Sequence, residues 1–139
     1  MLLSQGENHF LFTGDLEKSG EESLVASNNL PKCKLYKAGH HGSNTSSSQV
    51  LISKIQPEIV VIPCCCGDKH EFPHQETLDT IAAYTDKVYV PKAGGTLLNG
   101  NIVVSSVSGV VSVTGSNNST LFKDTSWLQN NRTIPVAWQ

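Results

Sequence analysis

The sequence predicts an α/β layer, a mixed sheet flanked by helices, and three observations point to it. Strand and helix signals alternate through roughly the first 90 residues. The run Ile59-Val60-Val61-Ile62 is continuously apolar and β-branched, as in a strand buried on both faces. Asp15, His40, His41 and the loop from Cys66 to His74 all follow predicted strands. That is the edge where ligand sites gather in such layers.

Taken in order, residues 9–13 read as a buried strand ended by Gly14-Asp15. Residues 17–27 read as a helix: Leu16, Leu24 and Val25 share an apolar face, and Glu21 and Glu22 suit its first turn. Asn28-Asn29-Leu30-Pro31 stops it. A second strand, 34–38, leads into Gly39-His40-His41-Gly42-Ser43. Ser46, Ser47 and Ser48 offer N-cap hydroxyls to a helix with Val50, Leu51 and Ile55 inward, closed by Pro57. The strand at 58–63 follows, then the loop, then a helix over 74–85 with Leu78, Ile81 and Ala82 inward, and a last strand at 87–90. From Ala93 the pattern changes to a small β meander: Thr96–Leu98, Ile102–Ser106 and Val110–Thr114, with Asn99-Gly100 as a hairpin turn. The tail from Leu121 carries Trp127 and Trp138 without a clear period and reads either as a packed arm or as loose chain.

A chain of 139 residues is one domain or a large piece of one. With 38% hydrophobic and 16% charged residues it reads as globular, and a net charge of -2 gives no general attraction to nucleic acid. No apolar stretch is long enough to span a bilayer, and the N-terminus lacks the basic and apolar regions of a signal peptide. Localisation stays open: cytoplasmic, or tethered or extracellular as part of a longer protein. Cys33 and the run Cys64-Cys65-Cys66 do not form a disulfide framework or a zinc clip. They read as small apolar residues of a buried strand, the sharper alternative being a reactive Cys66 paired with His70.

Asp15 suits a turn or helix cap, or a carboxylate bridging two metal ions. Of His40 and His41, adjacent and therefore divergent, one suits ligation, leaving the other to orient a ligand or protonate a leaving group. Ser43, Thr45 and Ser46 suit either phosphate contact or helix capping. His74 opens a helix, where protonation is disfavoured; it reads as a neutral imidazole aimed at a phosphate oxygen or as a plain N-terminal polar residue.

Three stretches carry a family resemblance: Phe-Leu-Phe-Thr-Gly-Asp-Leu-Glu at 10–17, Lys-Ala-Gly-His-His-Gly-Ser-Asn-Thr-Ser-Ser-Ser at 37–48, and Pro-His-Gln-Glu-Thr-Leu at 73–78. Over residues 1–92 the chain resembles the metallo-beta-lactamase superfamily. The nearest branch is the domain at the end of bacterial DNA-uptake competence proteins and related free-standing hydrolases. The resemblance implies an αββα sandwich and two zinc ions in the complete domain, with Asp15 and His40 as metal ligands and His41 and His74 as catalytic groups. It implies a phosphate-containing substrate, most naturally a phosphodiester or nucleic acid.

The family's main metal motif, His-x-His-x-Asp-His or its variant with Asp, lies well upstream of the Asp15 position. Here 14 residues precede Asp15 and hold one histidine, His9. The chain therefore resembles the C-terminal half of the domain: 1–92 the half itself, 93–115 a β meander completing the sheet, 116–139 a tail. Phe72 departs from relatives that carry a histidine before the proline. Half a site implies weak or absent zinc binding and no hydrolysis by this piece alone. Half a sandwich implies an exposed apolar sheet face, covered by a missing N-terminal half, by self-association or by the tail. The competing reading is a degenerate, non-enzymatic module for assembly or ligand binding; a Cys66–His70 hydrolase ranks last.

Overall fold

The computed structural model describes residues 1–67 and 69–139. Its centre is a five-stranded sheet in the order β1 (Leu2–Gln5), β2 (Asn8–Phe12), β3 (Leu35–Lys37), β4 (Ile59–Val61) and β6 (Val88–Tyr89). β2, β3, β4 and β6 run parallel; β1 is an antiparallel edge strand. Parallel neighbours need crossovers, supplied here by α1 (Lys18–Ser27), α2 (Gln49–Ile55) and α3 (Gln75–Ala82). The protein is α/β.

Alternation along each strand sorts side chains between two faces. Leu11, Tyr36, Val60 and Val88 point to one side, where Leu51, Ile52, Ile55, Leu78 and Ile81 of the helices complete the main core. Phe10, Leu35 and Ile59 point to the other and form a smaller cluster. The apolar run at 59–62 is thus buried on both faces, as its composition requires. On α2 it is Ile52, not Val50, that turns inward; Val50 stays exposed.

The meander region is strand-rich but does not extend the main sheet. β7 (Lys92–Ala93) and β8 (Thr96–Leu97) join the two-residue β5 (Cys65–Cys66), while β9 (Ile102–Val107) and β10 (Val110–Gly115) form their own hairpin. The turns are Gly94-Gly95 and Ser108-Gly109, all with positive φ, the two-residue geometry that matches strand twist. Asn99, expected in a hairpin turn, is instead buried. Its side chain donates to the Val90 and Thr120 carbonyls and accepts from Thr120 N–H, so it ties the tail's start to β6.

The hairpin lies across the second sheet face: Val104, Val111 and Val113 pack on Phe10, Leu35 and Ile59. It covers that face in part, leaving an apolar groove of about 630 Å³ bordered by Leu3, Phe12, Val61 and Ile102. The tail does not cover this face. Phe122, Leu128 and Trp138 join the main core on the helix side, so residues 121–139 are a packed arm. α4 (Ser126–Asn131) lies within it. Among the described residues no helix is long and apolar enough to cross a membrane.

Candidate functional site

Asp15, the histidine pair and the 66–74 loop share the C-terminal edge of β2, β3 and β4; Asp68, within that loop, lies outside the described residues. The first two loops are directly joined: His40 N–H donates to the Gly14 carbonyl at 3.0 Å, which fixes the Asp15 turn against the histidine turn. Asp15 itself is exposed.

Residues 39–42 form a 3-10 turn in which His40 (φ 45°) and His41 (φ 55°) both adopt the left-handed conformation. Non-glycine residues rarely do so, and consecutive ones persist only when the surroundings impose it. The surroundings are visible. Gly39 N–H donates to the Tyr36 hydroxyl at 3.1 Å, and Ser43 N–H to the His40 carbonyl at 2.9 Å. Gly42 has φ 87°, and a Cβ there would sit 2.8 Å from both Ile62 Cγ2 and Pro73 Cβ. Glycine is required at this position on both counts.

Beneath the turn lies a polar network that the sequence reading did not single out. Tyr36 is fully buried, its hydroxyl 3.1 Å from Ser47 Oγ, and burial pushes its pKa up, keeping the phenol neutral. Glu21, assigned to the first turn of α1 for its charge, is also fully buried. Its carboxylate accepts from Ser47 N–H at 2.8 Å and Ser48 N–H at 2.7 Å, just ahead of α2. Ser48 caps α2 through Leu51 N–H, as expected of that serine run.

The two imidazoles of the pair have different partners. His40 Nδ1 lies 3.3 Å from Thr45 Oγ1 and 3.8 Å from Glu17 Oε1. His41 Nδ1 lies 2.7 Å from the Pro63 carbonyl oxygen. A carbonyl only accepts, so His41 donates from Nδ1 and keeps its lone pair on Nε2, the state suited to ligation or to taking a proton. His74 occupies the N-cap position of α3. Its Nδ1 accepts from Asn44 N–H at 2.9 Å, and its Nε2 lies 3.1 Å from the His70 carbonyl, to which it donates. The ring is therefore a neutral clasp between the 43–45 turn and the 66–74 loop.

Phe72 sits amid these groups. Its ring centroid is 6.0 Å from that of His40, 6.3 Å from His41, 5.4 Å from His70 and 5.3 Å from His74. Four of the chain's five histidines thus surround one aromatic ring.

The metal expectation meets a clear limit. Among the described residues no group of three or more His, Cys, Asp or Glu side chains is placed to hold a metal ion. Asp15 and His40 would supply two ligands where zinc takes three or four, so these residues alone do not fit the ion. The thiols do not make a reactive centre at Cys66. Cys66 is fully buried with its Sγ 3.2 Å from Cys64 Sγ, Cys65 is the exposed member of the run, and burial pushes the Cys33 thiol up to about 11.

Comparison with known proteins gives three relatives. The chain is 32% identical over 88 residues to recombination protein 2 of Haemophilus influenzae, a stretch covering 63% of this chain and 11% of that protein. It is 31% identical over 97 residues to ComE operon protein 3 of Bacillus subtilis, covering 68% and 12%. It is 37% identical over 89 residues to competence protein ComA of Neisseria gonorrhoeae, covering 63% and 13%. The matched stretches span only about one eighth of these relatives' length. No family model and no solved structure matches. The chain is similar to competence proteins, in keeping with the branch its motifs resemble.

Proposed function

We propose that this chain is the C-terminal part of a metallo-beta-lactamase-like hydrolase domain in a competence-type protein, acting on nucleic acid during DNA uptake. What carries the reading is the joining of the Gly14-Asp15 turn to the histidine turn at a strand edge, in a chain similar to three competence-related proteins. The chemistry is phosphodiester hydrolysis. In the complete domain Asp15 and His40, with ligands from outside the described residues, would hold zinc, which would supply Lewis-acid activation of water and neutralise phosphate charge.

The chain's own groups then have definite tasks. Asp15 and His40 present a carboxylate and an imidazole to the metal side. His41, its Nε2 lone pair set by Pro63, takes or returns a proton at the scissile phosphate's oxygens. His74, neutral and carrying its proton on Nε2, redirects that N–H hydrogen bond from the His70 carbonyl to a phosphate oxygen. The partner is the N-terminal half of the domain, seated on the second sheet face where the β9–β10 hairpin leaves its groove; self-association through that groove is the alternative.

The experiment has two arms. The chain alone, with zinc or manganese and bis-p-nitrophenyl phosphate, gives no turnover. Supplied with a metal-motif half from a relative, it gives turnover that Asp15→Ala abolishes. Turnover by the chain alone that Asp15→Ala abolishes overturns the half-site reading. No Asp15-dependent turnover in the second arm overturns the hydrolase, in favour of an assembly or ligand-binding module.

A further inference from the structure

The C-terminal arm reaches back across the chain to the histidine edge, and its contacts there are polar and directed. Arg132, the chain's one arginine, donates from Nε to the Pro73 carbonyl at 3.1 Å and from Nη2 to the Glu71 carbonyl. Nε–H and the nearer Nη2–H project side by side from one edge of a planar guanidinium, a fixed fork that a lysine does not possess. The two carbonyls it grips bracket Phe72, the ring around which His40, His41, His70 and His74 gather.

The fork is itself held. The guanidinium carbon lies 5.2 Å from the Trp127 ring centroid, a cation–π placement. Trp127 in turn packs against Gly67 and Gly94, where added Cβ atoms would come within 3.1 and 2.8 Å of the indole. One residue beyond Arg132, Thr133 closes a pair of bonds with Gln75: Gln75 Nε2 to the Thr133 carbonyl at 2.9 Å, and Thr133 N–H to Gln75 Oε1 at 3.0 Å. The arm thus grips both sides of His74, at carbonyls 71 and 73 and at side chain 75.

We infer that Arg132 is a positioning residue of the histidine edge: through the Glu71 and Pro73 carbonyls it sets Phe72, and through Phe72 and the start of α3 it sets His41, His70 and His74. An arm that served only to cover the core would need its apolar residues, Phe122, Leu128 and Trp138. It would not need a guanidinium converging on two carbonyls of a loop some 60 residues earlier. This placement stands apart from the hydrolase reading; it rests on that reading only for its consequence in turnover.

The test is therefore spectroscopic. Histidine ring resonances of the 139-residue chain are recorded by NMR for the native protein, Arg132→Ala, Arg132→Lys and Trp138→Phe. Trp138→Phe removes a different anchor of the same arm, the indole N–H bond to the Thr85 carbonyl. Arg132→Ala displaces the ring signals of His41, His70 and His74 and leaves His9, which bonds Ser4 on the far strands, in place. Added guanidinium ion moves the displaced signals back toward their native positions, Arg132→Lys shifts them part-way, and Trp138→Phe leaves all four unmoved. Unmoved His41, His70 and His74 signals in folded Arg132→Ala overturn the inference, as does equal displacement by Trp138→Phe. Should Arg132→Ala not fold, Arg132→Lys decides: native-like ring signals overturn the inference, and displaced ones support it.

Discussion

The His41 imidazole donates from Nδ1 to the Pro63 carbonyl at 2.7 Å, which ties the turn after β3 to the segment leaving β4. The bond selects one neutral tautomer and leaves Nε2 as the available nitrogen. Nitrogen-15 spectra of the neutral protein should therefore show His41 as the Nδ1–H tautomer and His74, whose Nδ1 accepts from Asn44 N–H, as the Nε2–H tautomer. Identical tautomers for the two rings would contradict the geometry. In the complete domain, comparing zinc affinity of His40→Ala and His41→Ala then decides which imidazole ligates: the larger loss marks the ligand.

A second expectation concerns Glu21. A fully buried carboxylate that accepts two backbone N–H bonds is a strong local contact, and its removal leaves the donors of Ser47 and Ser48 without partners. Hydrogen bonds to charged groups contribute about 1.5–3 kcal/mol each, so Glu21→Ala should lower stability by about 3 kcal/mol. Urea unfolding should show this as a lower midpoint with little change in slope. A midpoint unchanged from the native protein would mean the carboxylate does not hold this segment.

Gly42 and Gly14 separate two effects that glycine combines. Both have positive φ, 87° and 62°, but a Cβ at Gly42 meets Ile62 and Pro73 at 2.8 Å while one at Gly14 meets nothing within 4 Å. Gly14→Ala should therefore cost only the left-handed backbone penalty, about 1 kcal/mol. Gly42→Ala adds overpacking between two loops and should cost about 3 kcal/mol. Thermal unfolding of the two variants side by side checks the difference; equal shifts would remove the packing argument.

What could be read from the sequence was local. The continuous run Ile59–Ile62 announced a doubly buried strand, and Asp15 and His40 stood out because each follows such a run. β1 carries no burial signal of its own, because all four of its residues are exposed and its pairing with β2 gives it form. Glu21 looked like an ordinary first-turn acid, since its partners lie 26 and 27 residues away. Asn99-Gly100 has the composition of a hairpin turn, but burial of the Asn99 amide against the Val90 and Thr120 carbonyls outweighs that preference. The arm has no period because isolated contacts attach it: the Arg132 and Trp138 side chains reach distant carbonyls, and the Thr133 backbone pairs with the Gln75 side-chain amide.

The arm's other anchor gives a pH dependence with a definite sign. Lys123 Nζ lies 2.6 Å from Asp86 Oδ2, linking the turn around the buried Phe122 to the segment before β6. The hydrogen bond from Lys123 holds the Asp86 carboxyl below its usual 3.8, and the same bond raises Lys123 above 10.5. An acid whose folded pKa is depressed contributes stability above its unfolded pKa and loses it as pH falls through the folded value. A base whose pKa is raised contributes below its unfolded pKa and loses that contribution as pH rises through the folded one. The pair therefore acts between these limits, and weakly, because Asp86 and Lys123 are 42% and 25% exposed. The Tm difference between the native protein and Asp86→Asn should be small and level from about pH 5 to about pH 9. It should close as the pH falls from 3.8 through the lower folded value, beneath which both proteins carry a neutral group at position 86. It should shrink at any pH in high salt, which screens an exposed pair. A difference that persists undiminished in acid would show that Asp86 acts through packing and not through its charge.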